Sequence, residues 1–163
     1  MTTATAARPS WLTYGAIIGS VLGVAYLAGQ ISTGSEDAWY SMLNKAPLNP
    51  PDIAFAIVWP VLFLLLAVGA ILVRRGAGSF QAASGALGLF FAQLIPNMGW
   101  SYAFFGFQQP ALALIILGTL WLMIIAMIAN FWRWSRLAAY LQLPYFAWVS
   151  FAAYLNGYVV VAN

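Results

Sequence analysis

Trp59, Trp100, Trp148 and Asn97 are the side chains whose type and spacing could do chemistry in this sequence. Indole faces attract large flat apolar molecules, and an amide beside them supplies the polar edge that orients such a ligand. Other chemistry is closed off. The chain has no histidine and no cysteine, which removes the usual general base, the usual metal ligand, the usual axial ligand of haem or chlorophyll, and thiol chemistry. Gly-rich phosphate loops and Ser/His/Asp sets are missing. The three acids, Glu36, Asp37 and Asp52, lie in or beside one loop, where Asp52 is expected to cap the helix that follows.

The elements that must position these groups are membrane helices. Hydrophobic residues make up 64% of the 163 and charged ones only 6%, too few to cover a soluble domain. The apolar runs are long and unbroken, which favours helices over the short alternating strands of a membrane barrel. The expected fold is an all-α, single-domain bundle of five transmembrane helices at about 11–31, 52–73, 79–105, 110–132 and 137–160. The Thr/Ala-rich stretch Met1–Arg8 leads into the first of these, which is read as a permanent span because no small-x-small cleavage site follows before Gln30. Span two begins at Asn49-Pro50-Pro51-Asp52, where a proline in the first turn costs no helical hydrogen bond.

Loop charge gives an orientation. Arg8, Arg74, Arg75, Arg133 and Arg136 fall on one side, and only Lys45, with the acids, on the other. Basic excess marks the cytoplasmic face, so the N-terminus is expected inside and the C-terminus outside. On that frame Trp59 lies about 10 Å and Trp100 roughly 8 Å below the outer face, with Trp148 nearer the bilayer middle. Asn97 stands one turn from Trp100 and Ser101, and an amide at that depth should face the bundle interior. Three indoles therefore share one zone beneath Trp39 and Tyr40, as a pocket wall or as bundle filler; spacing alone leaves both open. Trp121 also lies inside a span, whereas Trp11, Trp132 and Trp134 sit at span ends, as interfacial anchors do. Arg133 and Arg136 have the position of snorkelling anchors. Gly15, Gly19 and Gly23, like Ser84, Gly88 and Ala92, form small-residue stripes that suit packing inside the bundle or a homodimer seam. A charge of +3 with no basic run is no nucleic-acid surface, and the missing mid-membrane ionisable groups speak against ion-coupled transport.

Several blocks keep a recognisable order: Trp39-Tyr40, Leu43-Asn44-Lys45, Asn49-Pro50-Pro51, Phe55 with Trp59 and Leu62-Phe63, Gln93-Leu94 with Asn97, Trp100-Ser101, Phe104-Phe105-Gly106, Leu137-Ala138-Ala139, Leu143-Pro144-Tyr145, Trp148, Phe151-Ala152 and Tyr154-Leu155-Asn156. Across residues 39 to 156 the chain resembles the TspO/MBR family of tryptophan-rich sensory and translocator proteins, also called peripheral benzodiazepine receptors. The resemblance implies a five-helix bundle, commonly dimeric, in the bacterial cytoplasmic membrane. It also implies binding of porphyrin- or haem-type tetrapyrroles such as protoporphyrin IX, with no cofactor required and no metal. Carried over by position, the pocket lining would be Tyr40, Pro51, Phe55, Trp59, Phe63, Asn97, Trp100, Trp148 and Ala152. Some bacterial relatives promote light- and oxygen-dependent porphyrin breakdown, for which Trp59 and Trp148 would be the catalytic pair.

This sequence departs from the pattern at the lid. Where the family has Lys-Pro followed by Trp, it has Lys45-Ala46-Pro47-Leu48, and Ile53 stands where many relatives have Trp. Pro96 beside Asn97 is expected to bend span three. The animal cholesterol consensus needs a Tyr followed by a basic residue, which Gly157 and the uncharged tail do not supply. Three functions follow from these expectations: a tetrapyrrole-binding sensor or regulator, a porphyrin photo-oxidising activity, or a structural subunit of a larger membrane or pigment–protein complex.

Overall fold

The computed structural model describes residues 10–32 and 38–163; Met1–Arg8, Glu36 and Asp37 lie outside the described residues. The order is α1 (Ser10–Gly29), α2 (Ala38–Met42), α3 (Asp52–Gly76), α4 (Ser84–Ser101) running into a π-helical turn (Tyr102–Gly106), α5 (Pro110–Trp132), α6 (Arg136–Tyr140) and α7 (Leu143–Ala162). No strand occurs among the described residues.

Local sequence explains most boundaries. Pro51, extended at φ −65° and ψ 152°, is the residue before α3, and Arg74 and Arg75 close it. The N-cap position falls on Pro51, which has no side-chain cap hydrogen bond, and Asp52, expected to cap, is the first helical residue. Its carboxylate there still complements the positive helix end, as the arginines complement the negative one. Proline opens α5 at its first position, where its missing N–H removes no bond.

Four stretches are long and apolar enough to cross a membrane: Trp11–Gly29, Asp52–Gly76, Pro110–Trp132 and Arg136–Ala162. Five were expected, so that count is not met on this criterion. The stretch expected as span three differs in two ways. Its α-helix starts at Ser84 rather than residue 79, and its buried face carries the polar Gln93, Asn97 and Ser101, which lower its hydropathy; Gln93 and Asn97 both hydrogen-bond to Tyr145 inside the bundle.

The stretch expected as one span over 137–160 is broken between α6 and α7. Pro144 is the cause, since it cannot donate to the carbonyl of Tyr140. At the break Gln142 turns fully inward, and its Nε2 donates to the carbonyls of Ala138 (3.1 Å) and Leu65 (3.3 Å). Gly69 makes room for it, because a Cβ there would collide with Gln142 Nε2 and stand 3.3 Å from the Ala138 carbonyl.

The core runs along α5, whose Ala113, Leu117, Leu120, Ile124, Met127 and Phe131 are buried at three- and four-residue steps. α5 packs against α4 and α7, and α1 against α3 and α4. Packing inside the chain does not account for the glycine stripes. A Cβ added to Gly15, Gly19, Gly23 or Gly88 would meet nothing within 4 Å, so these positions face outward.

Candidate ligand-binding site

A cavity of about 430 Å³ opens between α1, α3 and α4 beneath α2, within the size range of small-molecule sites. From α3 come Asp52, Phe55, Ala56, Trp59, Pro60 and Phe63, steps of three and four that form one helical face. α4 and its π turn give Asn97, Trp100, Ser101 and Phe105; α1 and the residues after it give Ala25, Ala28, Gly29 and Ser32; Tyr40 closes the top.

The aromatic wall is nearly continuous. Trp59 lies 6.2 Å from Trp100 with ring planes 31° apart, and 5.6 Å from Phe63 at 32°. Trp100 is fixed from behind: its indole N–H donates to Asn156 Oδ1 (3.2 Å), while Asn156 Nδ2 donates to the Pro110 carbonyl (2.8 Å). Holding the N–H away leaves the ring face for the cavity. Trp121 is tied elsewhere, donating to Ser150 Oγ at 2.8 Å.

Asn97, 2% exposed, joins a buried chain of hydrogen bonds. Its Nδ2 donates to Tyr145 Oη (2.7 Å), Tyr145 Oη donates to Gln93 Oε1 (2.8 Å), and Gln93 Nε2 donates to the Phe90 carbonyl (3.1 Å). The Tyr145 ring meets Trp59 edge-on at 6.5 Å. A buried amide held this way has a set orientation, since breaking the chain strands a desolvated donor or acceptor. Pro60 adds a second polar element, because without an N–H it leaves the Ala56 carbonyl lacking its usual helical donor at the cavity wall.

The lid is built on Tyr40, whose hydroxyl donates to Asn49 Oδ1 (3.4 Å) and whose ring lies 5.5 Å from Phe105. Lys45 Nζ sits 4.3 Å over that ring, a cation–π contact. Burial pushes the Tyr40 phenol above its usual 10.0, against the opposing hydrogen bond to Asn49 and with help from the Asp52 charge. The phenol is therefore a neutral donor at physiological pH. Leu48 and Ile53, at the positions where the family pattern has tryptophan, point outward at 67% and 63% exposure. The lid is also tied to the end of α7: Asn44 N donates to Asn163 Oδ1 (2.9 Å), Asn44 Nδ2 to the Ala162 carbonyl (3.2 Å), and Asn163 Nδ2 to the Asn44 carbonyl (3.3 Å).

Of the residues singled out from sequence, Tyr40, Phe55, Trp59, Phe63, Asn97 and Trp100 meet around this cavity. Pro51 is exposed at the start of α3, and Ala152 is buried at 4% exposure in the core. Trp148 lies in an outer groove between α3 and α7 with Val61, Pro144 and Phe151. One ring separates it from the cavity, since Phe55 meets Trp148 edge-on at 5.5 Å. Sequence reasoning missed Ala25, Ala28, Gly29, Ser32, Asp52, Ala56, Pro60, Ser101 and Phe105. The signal for the first group was the cluster of small residues late in α1. For Ala56 and Pro60 it was the in-helix proline next to Trp59.

The TspO/MBR family model matches residues 16–161. The chain is 37% identical to the tryptophan-rich protein TspO of Chlorobaculum tepidum, over 93% of this chain and 96% of that one. It is 36% identical to the tryptophan-rich sensory protein of Cereibacter sphaeroides, over 74% and 73% of the two chains. With the translocator protein of Bos taurus it shares 34% identity over 80% and 78%. An integral membrane protein by its apolar helices, the chain belongs to the TspO/MBR family.

Proposed function

We propose that this protein is a membrane sensor or regulator that binds porphyrin-type tetrapyrroles in the cavity beneath α2. The observation that carries the reading is the pairing of the adjacent Trp59 and Trp100 rings, 31° apart in plane, with the oriented Asn97 amide at the same cavity. A macrocycle would lie on the indoles and turn polar substituents toward Asn97, Ser101 and the Asp52 mouth. In this reading α4 with its π turn is the fifth crossing element, about 27 Å for its 18 α-helical residues. The protein sits in the bacterial cytoplasmic membrane with the arginine end inside. Two copies pair through the outward glycines of α1 or the Ser84/Gly88 face of α4.

Quenching of tryptophan fluorescence by protoporphyrin IX tests the reading. Saturable quenching in the micromolar range is expected, weakened about fivefold by Trp100→Ala, since losing a stacking ring costs on the order of 1 kcal/mol. Absence of saturable quenching would refute it and favour the structural-subunit role, which a stoichiometric larger complex in mild detergent would support.

A second reading, light- and oxygen-dependent porphyrin breakdown, draws on the line of rings Trp59, Phe55 and Trp148, in which only the first two touch the cavity. Illuminated protoporphyrin IX should then disappear more slowly with Trp59→Phe than with Trp148→Phe. Loss unaffected by both substitutions together sinks that activity.

A further inference from the structure

The end of the bundle away from the cavity carries Arg74 and Arg75 at the close of α3, and Arg133 and Arg136 around the α5–α6 turn. These segments meet: a Cβ on Gly76 would lie 2.8 Å from the Trp134 carbonyl. Arg75, Arg133 and Arg136 are exposed, and the Arg136 guanidinium lies 5.6 Å over the Trp132 ring.

Arg74 is different. It is only 7% exposed, and its Nε is buried with no hydrogen-bond partner among the described residues. The one acidic side chain among the described residues is Asp52, at the opposite end of α3, roughly 33 Å away at 1.5 Å per residue. Among the described residues the nearby charges are therefore all of Arg74's own sign. A buried guanidinium N–H with no acceptor is unfavourable until an acceptor reaches it.

The chemistry that resolves this is an anion with several acceptor oxygens. A guanidinium fork matches a phosphate in bidentate fashion, and the three exposed arginines raise the local concentration of anions. The chain's single lysine, Lys45, is in the lid, so this end holds only forked donors among the described residues. We propose that Arg74 anchors a phosphate-binding site at the arginine end of the bundle, taking either a phospholipid headgroup or a soluble phosphate. The site is remote from the cavity and independent of what the cavity binds.

Native mass spectrometry of the full chain in mild detergent tests it, with dioleoylphosphatidylglycerol and sodium phosphate as probes. Wild type should retain one phosphatidylglycerol per chain. Arg74→Gln should lower apparent affinity about tenfold and Arg74→Lys about threefold, because an ammonium keeps the charge and loses the fork. Arg75→Gln should change it less than about twofold, as a rim charge does. Displacement of the lipid by phosphate on the order of 10 mM assigns a soluble phosphate to the site, and resistance assigns the headgroup. Equal retention by Arg74→Gln, equal loss in Arg75→Gln, or no saturable binding of either probe to wild type overturns the proposal and leaves Arg74 a plain interfacial anchor. Should Arg74→Gln fail to fold, the wild-type titration and Arg74→Lys decide.

Discussion

The two sides of the bundle treat volume in opposite ways. Where α5 meets α4 and α7, six side chains from Ala113 to Phe131 are at most 1% exposed and fill the interface. Where α1 meets α3 and α4, Ala25, Ala28 and Gly29 face Trp59 and Trp100 across about 430 Å³. Large rings stand on both sides, and Phe131 and Phe90 are as buried as any residue. The difference lies in the opposing helix, which offers methyl groups or hydrogen where α5 offers Leu, Ile and Met. The cavity is thus made by what α1 omits, and it should be removable without touching the indoles.

The largest effect is expected on the filled side. Phe131→Ala should cost roughly 3–5 kcal/mol through lost transfer energy and an unfilled void, read as a depressed thermal midpoint in detergent with reduced helicity on heating. Tyr145→Phe comes next. It strands the Asn97 donor and the Gln93 acceptor, at about 1–3 kcal/mol, and should also blur ligand orientation, seen as broadened porphyrin absorption.

On the open side, Ala28→Phe should leave the thermal midpoint nearly unchanged while weakening porphyrin quenching by about tenfold or more, which breaks the comparison if stability falls as far as in Phe131→Ala. Asn44→Ala should speed amide exchange in residues 38–51 at a cost of about 1 kcal/mol or less. The smallest effect is a pH dependence. Because burial holds the Tyr40 pKa above 10.0, its contribution to lid order is fully present below that pH and is lost as pH rises past it. Phenolate absorbance near 295 nm should therefore appear later in wild type than expected for an exposed tyrosine, and Tyr40→Phe should remove that late component.

Much of the site was legible because two prolines fix where α3 starts. With Pro50-Pro51 as origin, rise per residue alone brings Trp59 level with Trp100, and the amide of Asn97 dictates which face of α4 turns inward. The rotation of α7 was harder to read. Its sequence is apolar nearly all round, so hydrophobicity does not choose a buried face. The polar residues do: Tyr145 and Asn156 share one face with Val149, Ala152 and Val159, and Trp148 lies off it. The break before α7 had a signal in Pro144. The share of α1 in the cavity had only small side chains to show for it, and these look the same whether they line a cavity, admit a partner helix or face lipid.

The bonds between Asn44 and Asn163 carry a practical consequence. They couple the end of α7 to the segment over the cavity, so strain on α7 near Asn163 reaches the same peptide unit that steadies the lid. Asn163→Ala should therefore loosen residues 38–51 much as Asn44→Ala does, even where it leaves the rest of the fold untouched.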